Sequence, residues 1–287
     1  MSGTGKERGG TGKQRGGAGR VAARLQVALN GARGAGEGAS VPMSPRALAE
    51  SALGAVAAGA REVLVHPRTP CGRESLSPRV VGPTLEALRG AGVSVPLSVP
   101  VSVAAEPDPA GRPARVRSWA VLPERAVVRW AEPGARALAS ALLERGVAVD
   151  AVVPLGGPRQ VPGGAGAGAA DWADAGGWAG AAAWADVGAW AAGYAGRVRL
   201  VGELVEADPA LVEGLRGPPG VSWLLFGRDG AAWPALRLAA RCGAGARIGV
   251  GDVLLLPDGR PARSNAELVA AAGREWARAA TATAGSR

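Results

Sequence analysis

The feature that most constrains the fold is an alternation of short apolar segments with helical segments, which begins near residue 21. The segments rich in Val, Leu and Ala are typical of strands and read RLQVALNG, EVLVHP, VSVPLSVPV, RAVVRW, VAVDAVV, RVRLVGEL, GVSWLLFG and ARIGVGD. Eight continuous apolar strands that alternate with helices favour a parallel sheet buried on both faces. In a chain of 287 residues this pattern predicts an α/β protein with a (β/α)8 TIM barrel.

The helices between the strands are indicated by apolar spacing and by start signals. Ser44-Pro45 opens the first helix, with the serine as cap and the proline in the first turn. Ser264 with Glu267 is a capping box for the last helix, which we expect to run to about residue 280. Further helices are predicted over residues 79–90, 111–119, 133–145, 208–215 and 233–242.

Two segments of low complexity depart from the alternation. Residues 1–20 contain the tandem repeat GTGKERG–GTGKQRG, which has no apolar side chains to bury, so we predict a disordered, basic, Gly-rich tail. Residues 161–196 are almost entirely Gly, Ala, Trp and Asp, with a tryptophan every six residues. A six-residue step places these tryptophans on three helix faces, which predicts a poorly ordered insertion beside a degenerate helix. The TIM-barrel domain therefore spans residues 21–287, and residues 1–20 and most of 161–196 are expected to be mobile and dispensable for folding.

The charge and cysteine content narrow the class of protein. Lys and Arg number 33 against 24 Asp and Glu, but they are scattered, which argues against a nucleic-acid-binding face. Cys71 and Cys242 are far apart and form no disulfide framework, which indicates the cytoplasm. No apolar run approaches the ~18 residues that cross a bilayer, so no membrane association is expected.

Polar residues follow several predicted strands, at the end where a (β/α)8 barrel carries its chemistry. They are Asn30, His66, Glu132, Asp150 and Asp252. His66 is the single histidine of the chain, and a histidine at this place suits a metal ligand or an acid–base group. The simpler interpretations are an imidazole that is hydrogen-bonded in the barrel mouth and, for Glu132, a carboxylate that caps the helix at Pro133.

The strand ends also resemble a known family when they are taken in order. The motifs are LNGAR, VHPRTPCGRESL, EPDP, EPGA, AWP and RIGVGDVLLLPDGRPARSNAELV. Together, over residues 24–155 and 198–280, they resemble the β-keto acid cleavage family, whose founding activity is 3-keto-5-aminohexanoate cleavage. The resemblance implies a zinc-dependent barrel that takes small-molecule partners. In such a barrel a β-keto acid condenses with the co-substrate acetyl-CoA, and the adduct is cleaved to acetoacetate and a new acyl-CoA.

The resemblance also implies which positions should bind the metal. The family holds zinc with a His-x-His pair after strand two and a glutamate in an Arg-x-Gly-Leu-Glu-Asp motif after strand eight. The corresponding residues are Leu64-Val65-His66 and, near the C-terminus, Arg247-Ile248-Gly249-Val250-Gly251-Asp252. Leu64 and Gly251 thus occupy two ligand positions, and His66 is the residual ligand.

Other candidate roles follow from the same resemblance. Arg247 and Asp252 match the family's proposed base and its partner, although an ion pair that braces the last strand explains them equally well. Asn30, Glu132 and Arg68 are candidates for substrate binding. The polar stretch that the family shows after strand three is replaced here by Pro100-Val101-Ser102.

Three hypotheses for function remain. Because catalytic zinc takes three protein ligands, we expect zinc to be absent or weakly bound, and Leu64→His with Gly251→Glu to restore it. The favoured hypothesis is a divergent homologue that has lost the ancestral reaction. The second is a metal-independent acyl-CoA or keto-acid enzyme with Asp252 as base and arginines as clamps. The third is a non-catalytic binding protein that uses the basic tail or the tryptophan insertion. The sequence leaves the substrate and assembly into a homo-oligomer open.

Overall fold

Eight parallel strands close into a barrel, which confirms the predicted fold. The computed structural model describes residues 24–38, 40–156, 180–194, 196–205 and 220–284. The strands are β1 Leu25–Ala28, β2 Glu62–Leu64, β3 Leu97–Pro100, β4 Arg125–Arg129, β5 Ala148–Leu155, β6 Val198–Leu204, β7 Trp223–Gly227 and β8 Gly245–Ile248. Each strand pairs with the next in sequence, and β8 pairs with β1 to complete the ring.

Helices surround the barrel in the part of the chain that the structure describes. They are α1 Pro45–Ala57, α2 Pro78–Gly90, α3 Gly111–Arg117, α4 Ala135–Glu144, α5 Gly180–Ala192, α6 Ala232–Cys242 and α7 Asn265–Ala284. The predicted starts are confirmed, since the Ser44 hydroxyl accepts from the Ala47 N–H and the Ser264 hydroxyl from the Glu267 N–H. Among the described residues, no helix is long and apolar enough to cross a membrane. The tail of residues 1–20 and the predicted helix at 208–215 lie outside the described residues.

Residues two apart on a strand point to the same side of the sheet. Successive inward-pointing residues therefore fill the barrel interior in three layers. The floor, near the N-terminal ends of the strands, contains Gln26, Glu62, Ser98, Arg125, Asp150 and Arg199. The middle layer is a separate apolar cluster of Ala28, Leu64, Val127, Val152, Val201, Leu224 and Phe226. The mouth follows at Asn30, His66, Arg129 and Glu203, each two residues beyond a member of the middle layer.

Asp150 belongs to the floor, so the prediction that it lies at a strand end is wrong. β5 continues to Leu155, which leaves Asp150 near the start of the strand. Its carboxylate accepts hydrogen bonds from Arg125 at 2.7 Å and from Arg199 at 3.1 and 2.6 Å. Burial alone would raise the pKa of Asp150, but Arg199 and Arg125 outweigh it and the pKa is lowered. Arg199 continues the network to Glu62 at 2.8 and 2.7 Å.

Helix α5 occupies the later part of residues 161–196, where the sequence predicts a poorly ordered insertion beside a degenerate helix. Trp184 in this helix is 3% exposed, and its ring meets the Trp223 ring edge-on at 6.0 Å. Trp190 packs against Trp130 with ring centroids 4.7 Å apart. The helix covers β5 and β6 and therefore takes a regular place in the barrel wall. The segment before it lies outside the described residues.

Candidate functional site at the barrel mouth

Asn30 and His66 meet at the mouth, where β1 and β2 end. The Asn30 amide nitrogen donates to the His66 carbonyl at 3.0 Å, and the His66 N–H donates to the Asn30 amide oxygen at 3.0 Å. These two bonds fix the backbone from which the imidazole projects. The Asn30 side chain is fully buried in this contact, so it positions His66.

The imidazole of His66 is held in its neutral form. Burial lowers the pKa of His66 well below its usual range, and the charges of Arg228, Arg247 and Arg68 lower it further. Within the described part of the chain, its Nδ1 is buried and has no hydrogen-bond partner. An unpaired buried nitrogen costs free energy, so this atom is a vacant hydrogen-bonding position in the mouth.

The two other positions that the family uses for zinc are closed. Leu64 is 2% exposed and packs in the apolar middle layer, one layer below His66. At Gly251, a Cβ atom would lie 2.6 Å from the Gly31 nitrogen and 2.9 Å from its Cα. Since these are backbone atoms, the crossing of the two loops leaves no space for a side chain at residue 251. The Gly251→Glu substitution would therefore require the Gly31 backbone to move.

Arg247 and Asp252 form a bidentate ion pair. The Arg247 Nε and Nη2 atoms donate to the two Asp252 carboxylate oxygens at 2.9 and 2.8 Å. The guanidinium also lies 3.4 Å from the Phe226 ring centroid. Both side chains are at least nine-tenths buried. This geometry favours the bracing interpretation, because both carboxylate oxygens are engaged by one guanidinium.

Glu132 is turned away from a ligand by its own partners. Its carboxylate accepts from Arg112, which is 1% exposed, and from the Val103 N–H at 3.1 Å. Arg112 also donates to the Pro133 carbonyl. Burial raises the pKa of Glu132, against the opposing effect of Arg112. The pair ties α3 to the turn before α4, and Glu132 does not cap α4, whose N-cap residue is Gly134.

Arg68 joins the first two loops of the mouth. Its terminal nitrogens donate to the carbonyls of Gly72 and Gly31, both at 2.6 Å. It also lines a cavity of about 750 Å³ outside the barrel axis, together with Cys71 and Arg79. Hydrogen bonds from Thr69 and Arg73 lower the pKa of the exposed Cys71 thiol to about 7. Arg68 is thus a loop brace, with both terminal nitrogens engaged by backbone.

Three further charged residues at the mouth were not predicted from the sequence, namely Arg129, Glu203 and Arg228. Glu203 accepts from Arg129 at 2.7 Å through one oxygen and from the Arg228 Nε at 2.9 Å through the other. Burial alone would raise the pKa of Glu203, but Arg129, Arg228 and Arg247 hold it at about 2. Each residue lies at or just after a strand end, and this position was the available signal. They come together only because the barrel closes, and the sequence pattern does not reveal which strand ends lie close together in the closed barrel.

The donor set at the mouth does not fit zinc. No group of three or more His, Cys, Asp or Glu side chains that could hold a metal occurs among the described residues. His66 supplies one imidazole, and the nearby Asp252 is neutralised by Arg247. Catalytic zinc needs about three protein ligands. The surrounding guanidinium groups of Arg228 and Arg247 also oppose a cation at this place.

The sequence matches a model of a known protein family. The model for beta-keto acid cleavage enzymes matches residues 23–134 and 168–285, which is most of the sequence. The chain belongs to the β-keto acid cleavage enzyme family. A search of the curated proteins finds no match.

Solved structures with the same fold include ObcA in three states. The apo form has a TM-score of 0.55 at 14% identity and covers 85% of this chain and 61% of that one. The binary complex with oxaloacetate has a TM-score of 0.60 at 14% identity, with coverages of 85% and 66%. The ternary complex with a C4-CoA adduct and oxalate has a TM-score of 0.60 at 16% identity, with coverages of 83% and 64%.

A second similar structure is the type I 3-dehydroquinate dehydratase from Clostridium difficile, with a TM-score of 0.54 at 9% identity and coverages of 90% and 94%. At such identities these likenesses show the fold alone. The chain spans 61 to 66% of the length of the ObcA chains.

Proposed function

We propose that this family member has lost the zinc-dependent cleavage reaction and binds a small-molecule acid at its barrel mouth without protein-bound metal. The observation that carries the proposal is the closure of both missing ligand positions. Leu64 fills one with apolar bulk, and the Gly31 backbone occupies the space beside Gly251. A substitution at either position therefore meets packed neighbours rather than a vacant ligand site.

The metal-independent enzyme has less support. A general base must be free to accept a proton from the substrate. Both oxygens of Asp252 hold hydrogen bonds from Arg247, and the pair is buried against Phe226. Binding at the mouth is supported by charge, because Arg228, Arg129 and Arg247 gather there around Glu203. ObcA, which shares the fold, has been solved in complex with oxaloacetate, which is also a carboxylic acid.

The proposal is tested by metal analysis and a cleavage assay on the full chain. The purified protein is expected to contain far less than one zinc per chain, because catalytic zinc takes about three protein ligands. It should form no acetoacetate from β-keto acids and acetyl-CoA, with or without added zinc. Tightly bound stoichiometric zinc, or acetoacetate formation that zinc stimulates, would overturn the proposal and show that unidentified residues complete a metal site.

A further inference from the structure

We infer that Arg228 and His66 together bind the carboxylate of a short-chain organic acid and so replace the metal as the group that holds the ligand. This inference rests on the proposed function and names the ligand class and the residues. It concerns nitrogen atoms that can still form a hydrogen bond in the folded chain. The other charged groups of the mouth are already engaged.

Arg228 is the cation that remains available. It follows β7 directly, and its Nε donates to Glu203 at 2.9 Å, which sets the plane of the guanidinium. Its two terminal nitrogens have no hydrogen-bond partner in the described part of the chain, and its side chain is 32% exposed. A guanidinium with both terminal nitrogens available matches the two oxygens of a carboxylate. Arg247 and Arg68, in contrast, are committed to Asp252 and to loop carbonyls.

His66 supplies the second polar contact. Its imidazole has a buried Nδ1 without a partner among the described residues. His66 follows β2 and Arg228 follows β7, so both residues belong to the same end of the barrel. A polar atom without a partner in a folded protein is commonly explained by a missing ligand or ion. In the tautomer that carries its proton on Nδ1, His66 would donate a hydrogen bond to a carboxylate held by Arg228.

The apolar middle layer limits the rest of the ligand. Leu64, Val201 and Phe226 lie directly beneath the mouth and are 2% exposed or less. They form an apolar layer beneath the mouth and provide no hydrogen bond to a further charged group of a ligand. The matching ligand is therefore a short acid whose single carboxylate faces Arg228 and whose carbon chain faces the middle layer.

The test compares butyrate with butyramide, its neutral isostere, by isothermal titration calorimetry. The wild-type chain should bind butyrate with a Kd in about the millimolar range and butyramide at least about tenfold more weakly, because only the acid forms charge-assisted bonds. Equal affinity for the two molecules, or no heat from butyrate, would overturn the inference.

Variants then locate the site. Arg228→Gln should weaken butyrate binding at least about tenfold, and the exposed Arg61→Gln before β2 should leave it unchanged. His66→Phe should also lose affinity while its melting temperature holds, because it removes an unpaired polar atom from a buried place. If Arg228→Gln does not fold, Arg228→Lys serves, since it keeps the charge and loses the paired nitrogens. Unchanged butyrate affinity in the folded Arg228 variant would disprove the assignment.

The outcomes separate this inference from the proposed function. Zinc-free protein that binds no butyrate contradicts the roles of Arg228 and His66 and leaves the loss of zinc intact. Zinc-loaded protein whose butyrate binding disappears after chelation contradicts both. Zinc-free protein that binds butyrate through Arg228 supports both.

Discussion

Glu203 sets the charge of the mouth, and its acid–base behaviour gives a prediction at the residue scale. Its folded pKa of about 2 lies below the ordinary value of 4.5, so its contribution to stability is complete above pH 4.5. That contribution is lost as the pH falls towards 2, on the order of 2 to 3 kcal/mol in total. Glu203→Gln should therefore lower the melting temperature at pH 7, and the difference from wild type should shrink by pH 2.

A surface carboxylate gives the control for Glu203. Glu50 pairs with Arg46 on the exposed face of α1, where both side chains are largely in solvent. Because exposed ion pairs are screened, Glu50→Gln should leave the melting temperature unchanged at both pH values. Thermal melts followed by circular dichroism measure these differences. A difference in melting temperature between Glu203→Gln and wild type that stays constant from pH 7 to pH 2 would contradict the low pKa.

Single residues also show how far the sequence leads. His66 and Asp252 are found from their place after predicted strands, and Arg247 from the family resemblance; the structure pairs Arg247 with Asp252. Asp150 is misplaced because the apolar run of β5 continues past it, and a strand end cannot be read inside such a run. Arg228 is missed because a lone arginine after a strand acquires meaning through Glu203 and His66, which are distant in sequence.

At the scale of elements, α5 shows how a repeat can conceal a helix. The six-residue spacing of tryptophan suggests no common face, yet the residues that pack inwards are Trp184, Val187 and Ala191. Their spacing of three and four residues is that of a helix face. The sequence therefore contains the apolar spacing of this helix, which becomes visible when valine and alanine are counted together with tryptophan. Composition alone therefore underestimated this element.

The packing of α5 leads to a prediction. Trp184→Ala should destabilise the barrel by about 3 to 5 kcal/mol, because it removes a buried ring that meets Trp223. Trp184→Phe should cost clearly less, since the indole Nε1 is buried without a partner among the described residues. Trp190→Ala is the matched control and should cost less than Trp184→Ala, because Trp190 is only partly buried. Urea denaturation measures all three, and a silent Trp184→Ala would show that α5 is dispensable.

At the scale of the whole molecule, the three layers separate stability from binding. The floor joins β2, β4, β5 and β6 through Glu62, Arg125, Asp150 and Arg199, and all of these charges lie below the apolar layer. The mouth charges lie above it. This order was not predictable from strand patterns, because an alternation of polar and apolar residues within a closed barrel resembles one that faces solvent.

Asp150→Asn tests this separation. The substitution removes the negative charge between Arg125 and Arg199, so Arg125 loses its carboxylate partner and Arg199 keeps only Glu62. Loss of one partner of a buried ion pair costs about 3 to 5 kcal/mol. The variant should therefore unfold at lower urea concentration. Its loss of stability relative to wild type should diminish in acid, because the lowered pKa of Asp150 makes the wild-type contribution fade as the pH falls.

The affinity of Asp150→Asn for butyrate should remain at the wild-type level, since the apolar layer stands between floor and mouth. Arg228→Gln should show the reverse pattern, with binding lost and most of the stability kept. A loss of butyrate affinity in folded Asp150→Asn would mean that charge passes through the apolar layer, and the mouth could then no longer be treated as an independent site.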